Sequence, residues 1–215
     1  IKQVLDSQRL AEVQALLQSA EFVDGRLSAG QEAVNVKHNE ELAPQSPLHR
    51  RLNASVMGAL VQHPDYQQAV LPLRVATAFY ARYTVGMGYG FHVDDPVMGP
   101  MSGRYRSDVS TTVFLVDPAD YDGGELIIQA PYGEHKVKGQ AGDAVVYPSG
   151  SWHKVTDITR GTRLVAVTWA QSIIKDPIQR EMLYQLAAAR QGLLGKLPQA
   201  DETAKVSTVY SNLVR

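Results

Sequence analysis

The chain has 215 residues, 44% of them hydrophobic, which is enough for one globular core with at most a small appended unit. Its formal net charge is −1 at pH 7, so the protein has no overall positive field that would attract nucleic acid or an anionic membrane. Cysteine is absent, which excludes a disulfide framework and a thiolate metal site and fits a reducing compartment.

The first twenty residues lack a basic segment followed by a continuous apolar stretch, and no apolar run in the chain reaches the length of a membrane span. These features predict a cytoplasmic, soluble protein that does not contact a membrane.

Two amphipathic helices are predicted before residue 70. The first has Asp6 or Ser7 as its N-cap, and its apolar residues recur at helical spacing: Val4, Leu10, Val13, Leu16 and Leu17. The second is announced by Ser46 and Pro47 as N-cap and first-turn residues, and it continues through Leu48, Leu52, Val56 and Leu60. His49 and His63 lie on or just after this helix and are assigned structural roles at the surface.

From Val75 the pattern changes to short apolar or alternating runs separated by Gly, Pro and Asp. The runs lie near residues 75–85, 90–94, 109–116, 125–129, 134–138, 144–147, 152–156 and 163–171. About eight strands of this kind predict a double-stranded β-helix, or jelly roll, with a mouth where a metal can bind. Gly123 and Gly124 mark a turn, and His135 follows a hairpin tip and is expected to be exposed.

His92 and Asp94 stand two residues apart in GYGFHVDDP, and His153 follows 61 residues later in YPSGSWHKV. Two imidazoles and one carboxylate can occupy one face of an octahedral ion and leave three positions for substrate and dioxygen. Residues i and i+2 of a strand point to the same side, so His92 and Asp94 can bind one ion with His153 on a neighbouring strand. These three residues are the predicted metal-binding and catalytic residues. Asp95 is an alternative carboxylate that strand parity disfavours.

Arg163 begins a strand in which alternate residues are apolar, in TRGTRLVAVTWAQ. An arginine that points into a barrel is costly unless an anion meets it, and its planar fork suits a carboxylate. Arg163 is therefore the candidate ligand for the distal carboxylate of 2-oxoglutarate, although an arginine at a strand start can also lie on the surface. Tyr83 is a further candidate for binding this cosubstrate, with a packed barrel tyrosine as the alternative. Thr111 and Thr112 could bind the cosubstrate in the same way, and the two cannot be ranked for this role without the strand register.

The segment between Asp95 and Ser107, PVMGPMSGRYR, is interpreted as a mobile lid beside the metal. Within it, Arg104, Tyr105 and Arg106 are candidate contacts for an anionic or aromatic substrate, and a solvated loop is the alternative. By alternation with His153, the side chain of Trp152 is expected not to point at the metal.

A helical unit is predicted to begin near residue 173, where Asp176, Pro177 and Gln179 combine an N-cap, a first-turn proline and a capping-box residue. Gly195 and Pro198 end this helix, and the last stretch, VSTVYSNLV, is left unassigned. The predicted organisation is a dioxygenase domain over 1–172, with helices over about 1–70 and a jelly-roll core over about 75–172, followed by a C-terminal helical extension over 173–215. The fold class is mainly β with flanking α.

The motifs RYTVGMGYGFHVDDPVM, DVSTTVFLVDPADYDGGELII and GDAVVYPSGSWHKVTDITRGTRLVAVTWAQSIIKD resemble those of bacterial PKHD-type hydroxylases. The resemblance covers roughly residues 75–190. It implies that His92, Asp94 and His153 are the metal ligands and that Arg163 binds 2-oxoglutarate.

The resemblance also implies an Fe(2+)- and 2-oxoglutarate-dependent dioxygenase that hydroxylates its substrate and releases succinate and CO2. O2 is the second cosubstrate, and L-ascorbate is a further candidate cofactor. A carboxylate at Asp94 favours hydroxylation, because related halogenating enzymes leave that position to a halide. The family's association with iron and siderophore uptake leaves a small molecule and a peptidyl substrate as alternatives, and the oligomeric state is open.

Two other readings of the triad are an AlkB-like nucleic-acid demethylase and a non-enzymatic, cupin-like metal-binding or iron-sensing module. The near-neutral charge and the lack of a basic, aromatic-rich stripe disfavour the first, and no nucleic-acid partner is expected. Arg163 disfavours the second, because a passive metal site has no need for a buried cation.

Overall fold

The computed structural model describes residues 1–28, 30 and 33–215. The α-helices in these residues are α1 (Ser7–Gln18), α2 (His49–Gln62), α3 (Pro64–Val70), α4 (Pro177–Lys196) and α5 (Asp201–Val214). The first eight strands are β1 (Phe22–Asp24), β2 (Lys37–His38), β3 (Glu40–Leu42), β4 (Pro72–Val75), β5 (Phe79–Tyr83), β6 (Gly88–His92), β7 (Val97–Met98) and β8 (Tyr105–Arg106). The others are β9 (Val109–Phe114), β10 (Leu126–Ala130), β11 (Gly133–Val137), β12 (Ala144–Pro148), β13 (His153–Val155) and β14 (Arg163–Ser172).

Two antiparallel sheets form the barrel. One has the order β1-β3-β5-β14-β9-β12, with β4 also paired to β14, and the other has the order β11-β10-β13-β6-β2. Side chains from both sheets share one buried cluster, which includes Ala81, Phe114 and Val165 from the first sheet and Leu126 and Val155 from the second. The predicted jelly roll is confirmed.

Strand β14 is the centre of the larger sheet and fixes which residues face the barrel interior. It pairs with β5, where Arg163 lies opposite Tyr83, and with β9, where Val165 lies opposite Phe114. Because side chains alternate between the two faces of a strand, Arg163 and Val165 face the second sheet. Ala166 and Ala170 face the helices, where they join the other large buried cluster.

Helices α1, α2 and α3 cover the outer face of the larger sheet. Val13, Leu52, Val56 and Leu60 have no solvent exposure and pack with Tyr80 of β5. Burying a side chain of this size contributes about 1.5–3 kcal/mol, so the apolar spacing seen in the sequence accounts for the position of α1 and α2. The cap of α1 is Asp6, whose carboxylate accepts a hydrogen bond from the Arg9 amide at 2.8 Å.

The predicted start of the second helix was wrong by two residues. The Ser46 hydroxyl accepts a hydrogen bond from the Leu48 amide at 3.3 Å within a turn, and the helix begins at His49. Helix α3 was not predicted as a separate element, because Pro64 follows the end of α2 directly. His63 ends α2 and also caps α3, with its Nδ1 accepting from the Asp65 amide.

The C-terminal helices pack together, and α4 also packs against α3. The Asp176 carboxylate accepts hydrogen bonds from the Ile178 and Gln179 amides at 2.8 and 2.9 Å, as an N-cap does. The predicted end of this helix agrees with Lys196, and the unassigned last stretch lies in α5. The division of the chain between residues 172 and 173 stays a prediction. None of the helices within the described residues has the length and apolar character needed to cross a bilayer.

Candidate metal and cosubstrate site

The three predicted metal ligands come together at one end of the smaller sheet. His92 is the last residue of β6, His153 is the first residue of β13, and the two are directly opposite in the ladder between these strands. Asp94 lies two residues beyond the end of β6, because the strand predicted over 90–94 lies two residues earlier, over Gly88–His92. Asp94 nevertheless lies on the same side as His92, and the three side chains offer ligand atoms within 4.8 Å of one another.

Both imidazoles are oriented by nearby backbone carbonyl groups. Nδ1 of His92 lies 2.8 Å from the Gly90 carbonyl oxygen, and Nδ1 of His153 lies 2.8 Å from that of Ser151. Because Nδ1–H donates to these oxygens, each Nε2 keeps a lone pair that can bind a metal. Each Nε2 lies 3.9 Å from Oδ1 of Asp94, too far for a hydrogen bond and suited to a shared ion.

Burial is the main reason that the pKa of His92 is lowered, to about 4, and the nearby His153 lowers it further. The His92 imidazole is therefore neutral at neutral pH. A neutral imidazole is the form that binds a metal, so no proton has to leave before an ion enters.

Two aromatic rings pack against the imidazoles, and sequence reasoning missed both. Tyr89 stacks on His92 with ring centroids 3.7 Å apart and an interplanar angle of 11°, and Tyr147 meets His153 edge-on at 5.1 Å. Trp152 instead stacks on Phe91 at 5.7 Å with nearly half of its surface exposed. As expected from alternation, Trp152 does not line the cavity around the triad.

The Asp94 carboxylate is held by a pair of buried hydroxyl groups, which sequence reasoning also missed. The Ser110 hydroxyl bonds to Oδ2 of Asp94, and the Ser149 hydroxyl lies 2.8 Å from that of Ser110. Ser110 belongs to DVSTTV, where it stands beside Thr111 and Thr112, so no local signal distinguished its hydroxyl from those of its neighbours.

Arg163 is buried inside the barrel, only 2% exposed. Its Nε has no hydrogen-bond partner, and within the described residues no carboxylate lies within 4 Å of the guanidinium. The guanidinium carbon lies 4.9 Å from the centroid of the Tyr83 ring and 6.0 Å from that of Phe114. A buried guanidinium without an anion is costly, so this position suits an anionic ligand.

Gly124 leaves room for the Arg163 side chain. It has φ +68°, and a Cβ at this position would come within 2.9 Å of Cδ of Arg163 and 2.5 Å of Cδ1 of Ile158. The glycine predicted as a turn residue thus also permits a close approach between the turn and the arginine.

Two tyrosine hydroxyls near Arg163 can act as hydrogen-bond donors. Burial raises the pKa of Tyr83, and the Arg163 charge opposes that shift in part. Burial also raises the pKa of Tyr147 well above its usual value. Both phenols are therefore protonated at neutral pH and can donate to a carboxylate. The register of β9 resolves the threonine alternative, because Thr112 lines the cavity and Thr111 does not.

A cavity of about 830 Å³ connects Arg163 to the triad and then to solvent. The segment predicted as a lid forms its rim. In this segment β7 pairs with β8, and a 3₁₀ turn over Met101–Gly103 joins them. Arg104 and Tyr105 line the cavity, whereas Arg106 forms an ion pair with Asp108 at 2.5 Å and does not line it.

The alternative carboxylate, Asp95, and the histidines assigned structural or exposed positions lie outside the cluster of candidate ligands. Asp95 lines the cavity rim, is exposed, and contributes no atom to the cluster around His92. His49 contacts the Ala43 carbonyl through Nε2 at 3.1 Å, and His135 is exposed on β11.

Comparison with known proteins agrees with the fold. The model of the 2OG-Fe(II) oxygenase superfamily matches residues 78–171. A prolyl hydroxylase from Trichoplax adhaerens, solved with a hypoxia-inducible factor peptide, superposes with a TM-score of 0.57 at 18% identity, covering 85% of this chain and 84% of that one. A Pseudomonas putida prolyl-4-hydroxylase gives a TM-score of 0.51 at 20% identity, over 79% of this chain and 89% of that one.

The protein is thus an iron(II)- and 2-oxoglutarate-dependent oxygenase with a jelly-roll fold. A PKHD-type hydroxylase from Thioalkalivibrio sulfidiphilus is 50% identical over 215 residues, covering all of this chain and 96% of the relative. Another from Hyphomonas neptunium is 46% identical over 220 residues, again covering all of this chain and 96% of the relative. The chain belongs to the PKHD-type hydroxylases, as its motifs suggested.

The cavity residues fit the cofactors that this superfamily uses, which are Fe(2+), 2-oxoglutarate and O2. The triad offers two imidazole nitrogens and one carboxylate, the donor set of non-heme iron(II) oxygenases. The buried, unpaired Nε of Arg163 fits a dicarboxylate. A role for L-ascorbate stays a prediction.

Proposed function

We propose that the protein is a hydroxylase in which His92, Asp94 and His153 hold iron(II) and Arg163 binds the distal carboxylate of 2-oxoglutarate. Succinate and CO2 are released as a substrate is hydroxylated. The observation that carries this proposal is the buried guanidinium of Arg163. Arg163 lines the same cavity as the triad. Among the described residues, no carboxylate lies within 4 Å of its guanidinium.

The side chains of the site bind the ion and orient the cosubstrate. The Nε2 atoms of His92 and His153 and Oδ1 of Asp94 would hold the ion. Bound iron(II) supplies the redox centre at which dioxygen reacts and 2-oxoglutarate is decarboxylated. Arg163 sets the direction in which 2-oxoglutarate enters, and Tyr83 donates its hydroxyl to a carboxylate of that cosubstrate.

The rim supports a substrate with an anionic or aromatic group. The guanidinium carbon of Arg74 lies 5.2 Å from the centroid of the Tyr105 ring. A Cβ on Gly103 would come within 2.9 Å of Nη2 of Arg74. Arg74 and Arg104 both line the cavity, and neither has a carboxylate within 4 Å in the described parts of the chain. The acidic residue Asp95 also lines this rim.

The finer parts of the proposed function rest on the family resemblance and on composition. The substrate is a small molecule or a peptidyl group, and the reaction serves iron or siderophore uptake in the cytoplasm. The net charge of −1 supports a partner other than nucleic acid.

Succinate formation tests the proposed function. The protein is incubated in air with iron(II) and 2-oxoglutarate, with Asp94→Ala as the matched control, and succinate is measured by mass spectrometry. We expect slow, iron-dependent succinate formation by the wild type without added substrate, and none by the variant. Equal succinate in both samples would contradict the assignment of Asp94.

A cell extract then identifies the substrate. With 2-oxoglutarate and iron(II) present, the proposal predicts one or more compounds heavier by one oxygen atom, and their amount falls in the Asp94→Ala sample. The chemistry of that compound decides between a small molecule and a peptidyl substrate.

A further inference from the structure

Ser110 and Ser149 form a buried pair of hydroxyl groups behind Asp94. Ser110 has no solvent exposure and Ser149 is 1% exposed. Ser110 lies on β9 in the larger sheet, and Ser149 follows the end of β12, the neighbouring strand. The Ser149 amide also donates to the Asp108 carbonyl at 3.1 Å, which fixes the backbone that carries this hydroxyl.

The direction of the two hydrogen bonds follows from the number of protons. Ser110 has one hydroxyl proton and two neighbours, Asp94 and Ser149. A carboxylate is the stronger acceptor and can only accept, so Ser110 donates to Oδ2 of Asp94 and accepts from Ser149. Hydrogen bonds in such a chain strengthen one another in a buried environment.

This arrangement separates the two oxygens of the carboxylate. Oδ2 is bound to Ser110, whereas Oδ1 faces both histidines at 3.9 Å. A carboxylate free to rotate can bind an ion through both oxygens and would then occupy a position that 2-oxoglutarate or dioxygen needs. The hydrogen bond to Oδ2 makes that second contact unfavourable.

We infer that Ser110, supported by Ser149, is a positioning residue that holds Asp94 as a one-oxygen ligand and so keeps three coordination positions open. This inference rests on the proposed function, because it requires that the triad hold the ion. Ser110 does not touch the ion or the substrate. It acts only through the orientation of Asp94.

Cobalt(II) provides a test that does not depend on turnover. We expect Ser110→Ala to bind cobalt(II) roughly 10- to 100-fold more weakly, as is typical when a partner of a metal ligand is lost. We also expect a shifted visible absorption band for the bound cobalt(II), because a carboxylate that binds through both oxygens takes one of the three remaining positions and so changes the set of ligands. Ser149→Ala should change both measurements in the same direction and by less.

Thr168→Val is the matched control for the loss of a buried hydroxyl. Thr168 is 1% exposed on β14 and does not itself line the cavity, and its hydroxyl donates to the Ala76 carbonyl at 2.8 Å. We expect this variant to lose thermal stability and to keep the cobalt(II) affinity and spectrum of the wild type. Circular dichroism of each metal-free variant verifies that it folds.

Three outcomes separate this inference from the proposed function. If folded Ser110→Ala keeps the affinity and spectrum of the wild type while His92→Ala loses cobalt(II), the positioning role is wrong and the triad stands. If Thr168→Val loses as much affinity as Ser110→Ala, the effect is general destabilisation and the inference also fails. If His92→Ala binds cobalt(II) as the wild type does, the triad itself is wrong and the inference fails with it.

Discussion

Arg163 lies directly opposite Tyr83 in the ladder between β14 and β5, with its guanidinium carbon 4.9 Å from the centroid of the tyrosine ring. Both side chains face the barrel interior and line the same cavity as His92, Asp94 and His153. The ring covers one face of the guanidinium without neutralising its charge, because a cation–π contact offers no full negative charge.

Asp94 and Asp95 are neighbouring acids with different expected roles. Asp94→Ala removes one of three ligands, so we expect it to lose more iron(II) affinity than the roughly 10- to 100-fold cost of losing an outer partner. Asp95→Ala is the matched control and should keep the affinity of the wild type, because its carboxylate lies outside the ligand cluster. Anaerobic iron(II) titration measures both. If Asp95→Ala lost the metal and Asp94→Ala kept it, Asp95 would be the ligand and Asp94 would not.

Tyr83→Phe keeps the ring under the guanidinium and removes only the hydroxyl. A hydrogen bond to a charged group contributes about 1.5–3 kcal/mol, so we expect 2-oxoglutarate to bind roughly 10- to 150-fold more weakly. Calorimetry on the anaerobic, iron-loaded protein measures the difference. Tyr132→Phe, at a fully exposed tyrosine, is the control. Unchanged affinity in Tyr83→Phe would leave Tyr83 as a packing residue.

Metal removal should lower the melting temperature. An ion present at about 100 times its Kd stabilises the folded state by about 2.7 kcal/mol, which corresponds to roughly 5–10 °C for a chain of this size. Differential scanning fluorimetry with and without a chelator measures the shift. His92→Ala should show no shift, and a shift as large as that of the wild type would mean that the ion binds elsewhere.

Gly124→Ala should weaken 2-oxoglutarate binding by displacing Arg163. The added Cβ would meet Cδ of the arginine at 2.9 Å, and the backbone at φ +68° is unfavourable for alanine. Gly133→Ala is the control, because Gly133 also has a positive φ and a Cβ there would meet nothing within 4 Å. We expect both variants to lose stability in urea and only Gly124→Ala to lose 2-oxoglutarate affinity. Equal affinities in the two variants would contradict the packing role.

The sequence predicted the candidate ligands of the metal and of 2-oxoglutarate better than the residues that pack against these ligands or bond to them. His92, Asp94 and His153 could be recognised because few residue types bind metals, and Arg163 because a charge in an apolar strand conflicts with burial. Tyr89, Tyr147 and Ser110 support the imidazoles and the carboxylate, but their residue types occur throughout any barrel. Their roles depend on the register between strands, and a single sequence does not contain that register.

The same distinction applies to the fold. Strand β14 has ten residues with regular alternation and was predicted within one residue. The short strands β1, β2 and β3 depend on long-range pairing, which leaves little local pattern. Most of helix α5 lies in the stretch VSTVYSNLV, which was too short to assign from the sequence, and its Val, Ser and Thr residues have low helix propensity. It is stabilised by packing on α4, where the Arg190 guanidinium lies over the Tyr210 ring at 5.2 Å.

Anaerobic titration of 2-oxoglutarate into the iron-loaded protein tests the central claim most directly, with Arg163→Ala and the exposed arginine variant Arg160→Ala measured beside the wild type. We expect saturable binding by the wild type and by Arg160→Ala. Arg163→Ala should keep its iron and bind 2-oxoglutarate at least about 30-fold more weakly, since losing a buried charge pair costs about 2 kcal/mol or more. Equal affinity in the wild type and Arg163→Ala, or no binding by the wild type, would contradict the account.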